Sequence, residues 1–459
     1  MRRADAGADL YLGNTLANAD FGLHGAMFAV LSLPGSSQCC PIPVRPEPPL
    51  AGPFNAVPCF LPDGRKSSMQ KSFRPLLLSV FLLVTGNGVL STLIPLRARL
   101  EGFSDITIGL VGSSYFAGML LGSLVVPWIV LRIGQVRAFV CCVLMGGAAI
   151  MSLPWLIEPW TWVLLRGLIG LSLAGLYTIA ESWFNGKSDN AHRGSALGLY
   201  SVVQYLAWST GNQVFRLADP GTIVLFIVAA TIVSCACLPL LLTRSEPPQR
   251  PSRPSLRFAW LFKLSPVGFV GALLIGASNG PFWSLTPIFA ADLGLTPAEV
   301  GTLMTCFMLG SAALQIPIGR LSDRRDRRTI LVCLCLASAI LETTLARFGA
   351  IVPTVTLDLL AFALGSVIST QYYVTAAHAV DRTGSDNAVT TTSALLFLYS
   401  IGAISGPLLA SYLMTLFGPA ALYGFTALMH VALIAFTLRQ MLYRPPPVLR
   451  SAEGRMPQY

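Results

Sequence analysis

From residue 76 onward the chain alternates apolar runs of about 20 residues with short polar interruptions, the length a helix needs to cross the hydrocarbon core of a bilayer. Twelve such runs are predicted, over 76–96, 107–131, 138–157, 160–184, 194–215, 222–242, 265–290, 298–318, 330–347, 354–377, 388–416 and 420–439. Backbone groups in lipid must be satisfied within the chain, and these lengths suit helices rather than the short alternating strands of a barrel. The expected fold is an all-α polytopic membrane protein.

A polar, proline-rich stretch from Thr243 to Arg257 separates six runs from six. Residues 69–243 and 264–444 are therefore predicted to form two six-helix bundles, joined by a linker over 244–263 and followed by a tail at 445–459. An ungapped shift of 192 residues superposes Asn87-Gly88 on Asn279-Gly280, Pro95 on Pro287, Gly109 on Gly301, Gly118 on Gly310 and Arg132 on Arg324. A series at one offset marks an internal duplication, so the bundles should be pseudo-symmetric. Residues 1–68 mix Pro, Gly and charge, with Arg45-Pro46-Glu47-Pro48-Pro49 unable to form a regular element, and no packed structure is expected there. Met69 reads as the start of translation, which makes 1–68 a misassigned or dispensable extension.

Composition agrees: 54% of residues are hydrophobic and the mean hydropathy is +0.65. The formal net charge of +10 does not point to nucleic acid, because the basic residues sit in short loops and not on one amphipathic face. It is a topology signal. One side carries Lys71, Arg74, Arg132, Arg137, Lys187, Arg193, the linker, Arg320–Arg328, Arg382 and the tail, and the other only Arg97, Arg99, Arg216 and Arg347. That asymmetry puts both termini in the cytoplasm. Cys141, Cys142, Cys235, Cys237, Cys306, Cys333 and Cys335 fall in apolar runs, where they suit packing better than disulfides or zinc.

Within this apolar background Gly319–Arg328 stands out, a loop of five arginines and two aspartates in a chain with only 11% charged residues. The Gly-x-x-x-Asp-Arg-x-x-Arg-Arg pattern, the six-plus-six spans and the central linker resemble the major facilitator superfamily of secondary transporters. Stretches such as Thr92-Leu-Ile-Pro-Leu96, Ala180-Glu-Ser-Trp183 and Gln315-Ile-Pro-Ile-Gly-Arg320 are similar to a poorly characterised bacterial inner-membrane branch. The resemblance assigns Gly319, Asp323, Arg324, Arg327 and Arg328 to a gating motif that stabilises the outward-facing state. Asp326 stands where the family usually has Gly. Arg132 and Gly134 are what remains of the first-half copy, which has Pro127 and Leu131 in place of Gly and Asp. Physically, Asp323 is expected to cap a helix or to pair with an arginine across the bundle, in one conformation and not the other.

Polar residues buried in spans are the second source of candidates, since an intramembrane charge is costly. Arg166, Gly170, Ala174, Tyr177 and Glu181 recur at steps of three and four and form one helical stripe on the fourth span. Family resemblance lines the cavity with the first, fourth, seventh and tenth spans and links an arginine on the fourth to proton coupling. Asp358, as shallow on the tenth span as Arg166 on the fourth, is expected to pair with Arg166 as an outer gate. Asn87, Ser91, Gln204, Trp208, Asn279, Trp283, Gln371 and Tyr372, with Tyr177, are the mid-depth candidates for a substrate cavity. Glu342 with Arg347 is placed at headgroup level, and His430 is assigned to packing.

The expected function is a proton-coupled secondary transporter of a small solute, working by alternating access as a monomer in a bacterial inner membrane. No cofactor or metal is expected, and the absence of a Walker motif, His-Glu-x-x-His or Gly-x-Ser-x-Gly argues against an ATPase or a membrane enzyme. Two alternatives remain: a receptor or scaffold that kept the fold, and multidrug efflux. The latter is disfavoured because Gly198, Gly211 and Asn212 do not reproduce the antiporter signature on the fifth span.

Overall fold

A computed structural model describes the backbone of residues 64–187, 193–241 and 256–443, with the side chains of 64–74, 181–199, 240–241 and 385 excepted. The expected extension before Gly64, most of the linker and the tail lie outside the described residues. Twelve helices of twelve residues or more run through them. In order they are α1 (Gly64–Leu100), α2 (Asp105–Ile133), α3 (Gln135–Ser152), α4 (Pro159–Lys187), α5 (Arg193–Phe215), α6 (Val224–Cys235), α7 (Pro266–Asp292), α8 (Pro297–Ala313), α9 (Arg327–Phe348), α10 (Thr354–Thr383), α11 (Ala388–Phe417) and α12 (Ala421–Tyr443). Eight are long and apolar enough by themselves to cross a membrane by length and composition, α8 makes a ninth with the helix Gln315–Arg324, and α7 makes a tenth with the short helix Phe258–Leu264, from which it bends by 113°. Short connections make successive helices antiparallel. One end of the bundle thus carries both termini of the described chain, and the other, distal end carries Arg99 and Asp292.

Local chemistry sets the boundaries. Ser104 caps α2 by accepting from the Thr107 N–H, and Thr296 and Glu299 form a reciprocal capping box at α8. Gly134, Gly384 and Gly418, all at φ near +85°, end α2, α10 and α11 in a conformation other residues resist. Two sequence expectations need correcting here. Residues 64–68 belong to α1, and the charged stretch is not a loop throughout: Gln315–Arg324 is helical, in line with the span before it, and the chain turns only at Arg325–Asp326. Pro317 lies in the first turn of that short helix, where its missing N–H breaks no hydrogen bond.

Glycines show why the two halves match. A Cβ on Gly118 of α2 would collide with the Gly167 carbonyl of α4, and one on Gly170 with the Tyr115 carbonyl; in the second half Gly310 meets the Phe362 carbonyl and Gly365 the Phe307 carbonyl. The offset of 192 carries α2 onto α8, and three residues more carries α4 onto α10. The same pair of offsets relates α1–α5 to α7–α11. There Gly88 and Gly211 approach the Trp208 and Thr85 carbonyls, and Gly280 and Gly406 the Ala403 and Ala277 carbonyls. Small residues let these helices pack backbone to backbone, the contact that replaces the hydrophobic effect inside a lipid phase.

Between the halves, the close approaches lie toward the distal end. Gly109 and Gly112 of α2 pack on Ser411 of α11 and Ser284 of α7, and Gly301 of α8 packs on Asn212 and Arg216 of α5. Gln213 donates to the Thr305 hydroxyl across the same seam at 2.8 Å. Arg99 then pairs with Asp105 in its own half and with Asp292 in the other, each at 2.6 Å. Toward the other end, Tyr205 of α5 faces Tyr373 of α10.

Candidate substrate and coupling site

At mid-depth, α1, α2 and α4 assemble a polar cluster around Asn87. Its Nδ2 donates to the Tyr115 hydroxyl at 3.1 Å and to that of Tyr177 at 3.4 Å. The Arg166 guanidinium lies 4.2 Å above the Tyr115 ring, held by the attraction of a cation for an aromatic face. Arg166 is only 7% exposed and its Nη1 has no hydrogen-bond partner. It points into the protein instead of reaching back to a headgroup. Within the predicted stripe, Gly170 and Ala174 pack on α2 while Arg166 and Tyr177 reach the cluster.

The second half repeats the centre of this arrangement. Asn279, related to Asn87 by the duplication, donates to the Tyr399 hydroxyl at 3.3 Å, and Tyr372 packs edge-on against Tyr399 with ring centres 5.2 Å apart. Asn87 Oδ1 and Asn279 Oδ1 are both buried without a hydrogen-bond partner, as is Gln204 Nε2 on α5. The two unpaired asparagine oxygens stand at duplicated positions of the two halves. Trp208 and Trp283 meet across the halves with ring centres 5.0 Å apart. Ser91 hydrogen-bonds back to the Gly88 carbonyl of its own helix, so it contributes shape rather than a free hydroxyl. Tyr115 and Tyr399 were missed by the sequence reading, although each sits three or four residues from a glycine that the helix crossings use.

Three expectations change. Arg166 and Asp358 form no ion pair: Arg166 stacks on Tyr115 within the first half, and Asp358 lies beside Cys306 and Glu299 in the second. Each helix is locked to its own α2 or α8 partner by the glycine crossings, which hold the two charges in separate halves. The pair that does bridge the distal end is Arg99–Asp292. Gln371 belongs to a different site from Tyr372, since consecutive residues on a helix diverge by about 100°; its carboxamide turns into the second bundle, toward α9 and α12. There it meets the third change. Glu342 and His430, each 1% exposed, touch at 2.8 Å, and His430 Nε2 lies 3.0 Å from Gln371 Oε1. Glu342 and Arg347 are five residues and hence about 140° apart on α9, a separation that already denied them one face. The Glu181 side chain lies outside the described residues.

Residues 76–268 and 268–457 each match the family described as the Major Facilitator Superfamily. The chain belongs to that superfamily. An MFS-type transporter of Yersinia pestis (strain Pestoides F), itself named as uncharacterized, is 27% identical over 385 residues, which cover 82% of this chain and 97% of its own. The similarly named YcaD of Escherichia coli O17:K52:H18 is 28% identical over 376 residues, 81% of this chain and 97% of its own. Among solved structures, the nucleoside transporter NupG superposes with a TM-score of 0.70 at 14% identity, over 81% of this chain and 99% of its own. A bacterial homologue of the lysosomal transporter Spinster, solved inward-facing and unoccupied, gives 0.64 at 14% identity over 83% of this chain and 97% of its own. The protein is a multi-pass membrane transporter and not an enzyme.

The superfamily motif occupies the termini end. Arg327 of α9 pairs with Asp323 at 3.0 Å, donates to Ser322 at 3.1 Å and reaches Asp381 of α10 at 2.6 Å. Asp323 is therefore not the helix cap; Asp326 is, accepting from the Arg328 N–H while its carboxylate pairs with the buried Arg328 guanidinium at 2.8 Å. Burial raises the Asp326 pKa, but the Arg328 hydrogen bonds outweigh it and hold the carboxyl below its usual range. Gly319 is exposed with open space around it. In the first-half copy Arg132 stacks on Trp128 at 3.7 Å, and Gly134 supplies the positive-φ stop of α2. Those described contacts of the motif stay within the second half.

Proposed function

We propose that this chain moves a small polar solute by alternating access, coupled to protons, as a monomer in a bacterial inner membrane with both termini cytoplasmic. The observation that carries it is the mid-depth set of unfilled polar atoms drawn from both halves: Arg166 Nη1, Asn87 Oδ1 and Asn279 Oδ1. A solute with an anionic or acceptor group for Arg166 and hydrogen-bond donors for the two asparagines would bridge the halves. With basic loops cytoplasmic, the distal seam faces outward, and the contacts across it support an inward-facing conformation.

Purified full-length protein in liposomes tests the proposal. Under an imposed pH gradient, uptake or extrusion of small polar anionic solutes should dissipate the gradient. Solute binding without flux would favour a receptor, and flux of only lipophilic cations would favour multidrug efflux; either overturns it.

A further inference from the structure

Glu342 and His430 are intramembrane ionisable groups that the midplane site does not use. Both are sealed from solvent, on helices α9 and α12 that pack against one another. Heavy-atom positions constrain the hydrogens. His430 Nδ1 lies 2.8 Å from Glu342 Oε2, while Nε2 faces Gln371 Oε1 at 3.0 Å and the Ser278 hydroxyl at 3.5 Å. Gln371 Nε2 in turn donates to the Ser338 hydroxyl at 2.8 Å.

A carboxamide oxygen only accepts, so His430 Nε2 must carry a hydrogen in this arrangement. With Nε2 protonated, the contact between Nδ1 and the carboxylate holds only if one further proton lies between them, as imidazolium with carboxylate or imidazole with carboxylic acid. Either way the pair is neutral. Removing that proton leaves a lone pair facing a carboxylate oxygen, which is repulsive. Relief requires the remaining hydrogen to move to Nδ1 and the Gln371 carboxamide to turn end for end, so that its nitrogen donates to Nε2 and Ser338 donates to its oxygen. Nitrogen and oxygen fill nearly the same volume, and so both patterns fit the same heavy atoms. They differ by one proton.

We infer that Glu342 and His430 form a proton-binding site in the second half and that the Gln371 carboxamide reports its occupancy to α10. The site adds a residue set to the proton coupling proposed above and rests on it for its purpose. Occupied, it is neutral and stable in the closed bundle. Empty, it buries a net negative charge, a cost that favours a conformation admitting water. Among the described residues its surroundings add no compensating cation. The other ionisable neighbours that feel Glu342 are Cys335 on α9 and Tyr423 on α12, and the facing surfaces of α7 present Ser278 and Thr286, the latter 3.3 Å from the Tyr423 hydroxyl. Among the described residues, His430 is the sole ion-pair partner of Glu342. Ser278 adjoins Asn279, and Gln371 adjoins Tyr372, so α7 and α10 each connect this site to the midplane wall.

The chain has four histidines, which makes nitrogen-15 histidine NMR of the full-length protein in nanodiscs practical, with His430 assigned by loss of its signals in His430→Gln. Across a pH series the His430 ring should change tautomer or charge in one step, and Glu342→Gln and Gln371→Leu should each displace that step by at least about one pH unit. A ring invariant with pH, or a step that Glu342→Gln leaves in place, overturns the site. Should Glu342→Gln fail to fold, the wild-type series and Gln371→Leu decide alone. In liposomes, Glu342→Gln should lower gradient-driven flux about tenfold while leaving solute exchange at symmetric pH within about twofold; equal losses in both would overturn the coupling role. Wild-type protein without gradient-driven flux sinks the transport proposal, and the NMR series then judges the proton site by itself.

Discussion

Arg166 is where a single side chain matters most. A buried guanidinium stacked on one ring and lacking a partner at Nη1 is stable only if something completes it. Arg166→Lys keeps the charge but loses the planar fork. One lost charge-assisted hydrogen bond is worth about 1.5–3 kcal/mol, so solute affinity should fall roughly 10- to 150-fold, measured by calorimetric titration on folded protein. An unchanged affinity would remove Arg166 from the site. At the termini end, Asp326→Ala should cost about 1 kcal/mol through loss of the α9 cap. The Asp326 pKa is depressed on folding, so its contribution is present above the unfolded carboxylate range and fades as pH falls through the lower folded value. The gap in detergent melts between wild type and Asp326→Ala should therefore narrow at strongly acid pH; a constant gap would contradict it. Arg166 was legible in the sequence because charge inside an apolar run is conspicuous. The Glu342–His430 contact was not, because it joins residues 88 positions apart through tertiary packing that no local pattern records.

Helices obey a rule visible in the sequence, small residues four apart, but the rule names no partner. The duplication already aligns Gly118 with Gly310; that the first faces α4 and the second α10 was not readable. Most span limits emerged from hydropathy within a few residues, but α1 begins at Gly64 and not 76, α6 ends at Cys235 and not 242, α10 runs on to Thr383 and not 377, and at Gln315–Arg324 charge masked a continuing helix. Gly118→Val and Gly310→Val should each destabilise by about 1–3 kcal/mol or more, because no rotamer can escape a carbonyl of the crossing helix. Gly424→Ala meets open space and should instead stabilise by about 0.5–1 kcal/mol. Thermal melts in detergent separate the two cases, and equal effects at Gly118 and Gly424 would discredit the crossing geometry.

For the molecule as a whole, the Arg99–Asp292 pair ties the halves at the distal end. Both residues are partly exposed, 33% and 20%, which limits the pair to about 0.2–1 kcal/mol and a population shift of up to roughly fivefold. Arg99→Asp and Asp292→Arg singly should favour the opposite conformation, read as increased thiol labelling of a cysteine replacing the buried Ser284, a near-isosteric change at the same seam. The double reversal should restore protection, and failure to do so would place the latch elsewhere. Duplication at an offset of 192 residues was legible in advance and reappears in the glycine crossings, whereas the contacts between the halves were not legible, since sequence patterns specify packing within a bundle better than the angle between two.

The glycine crossings have a consequence for biosynthesis. Those of α1–α5 and α2–α4 close entirely within residues 64–215, and their counterparts within 266–417. Nothing in the first set waits for the second. A ribosome making this chain can therefore release a locked first bundle into the lipid before Pro266 emerges, and two polypeptides divided between Leu241 and Leu256 should find each other when produced in one cell.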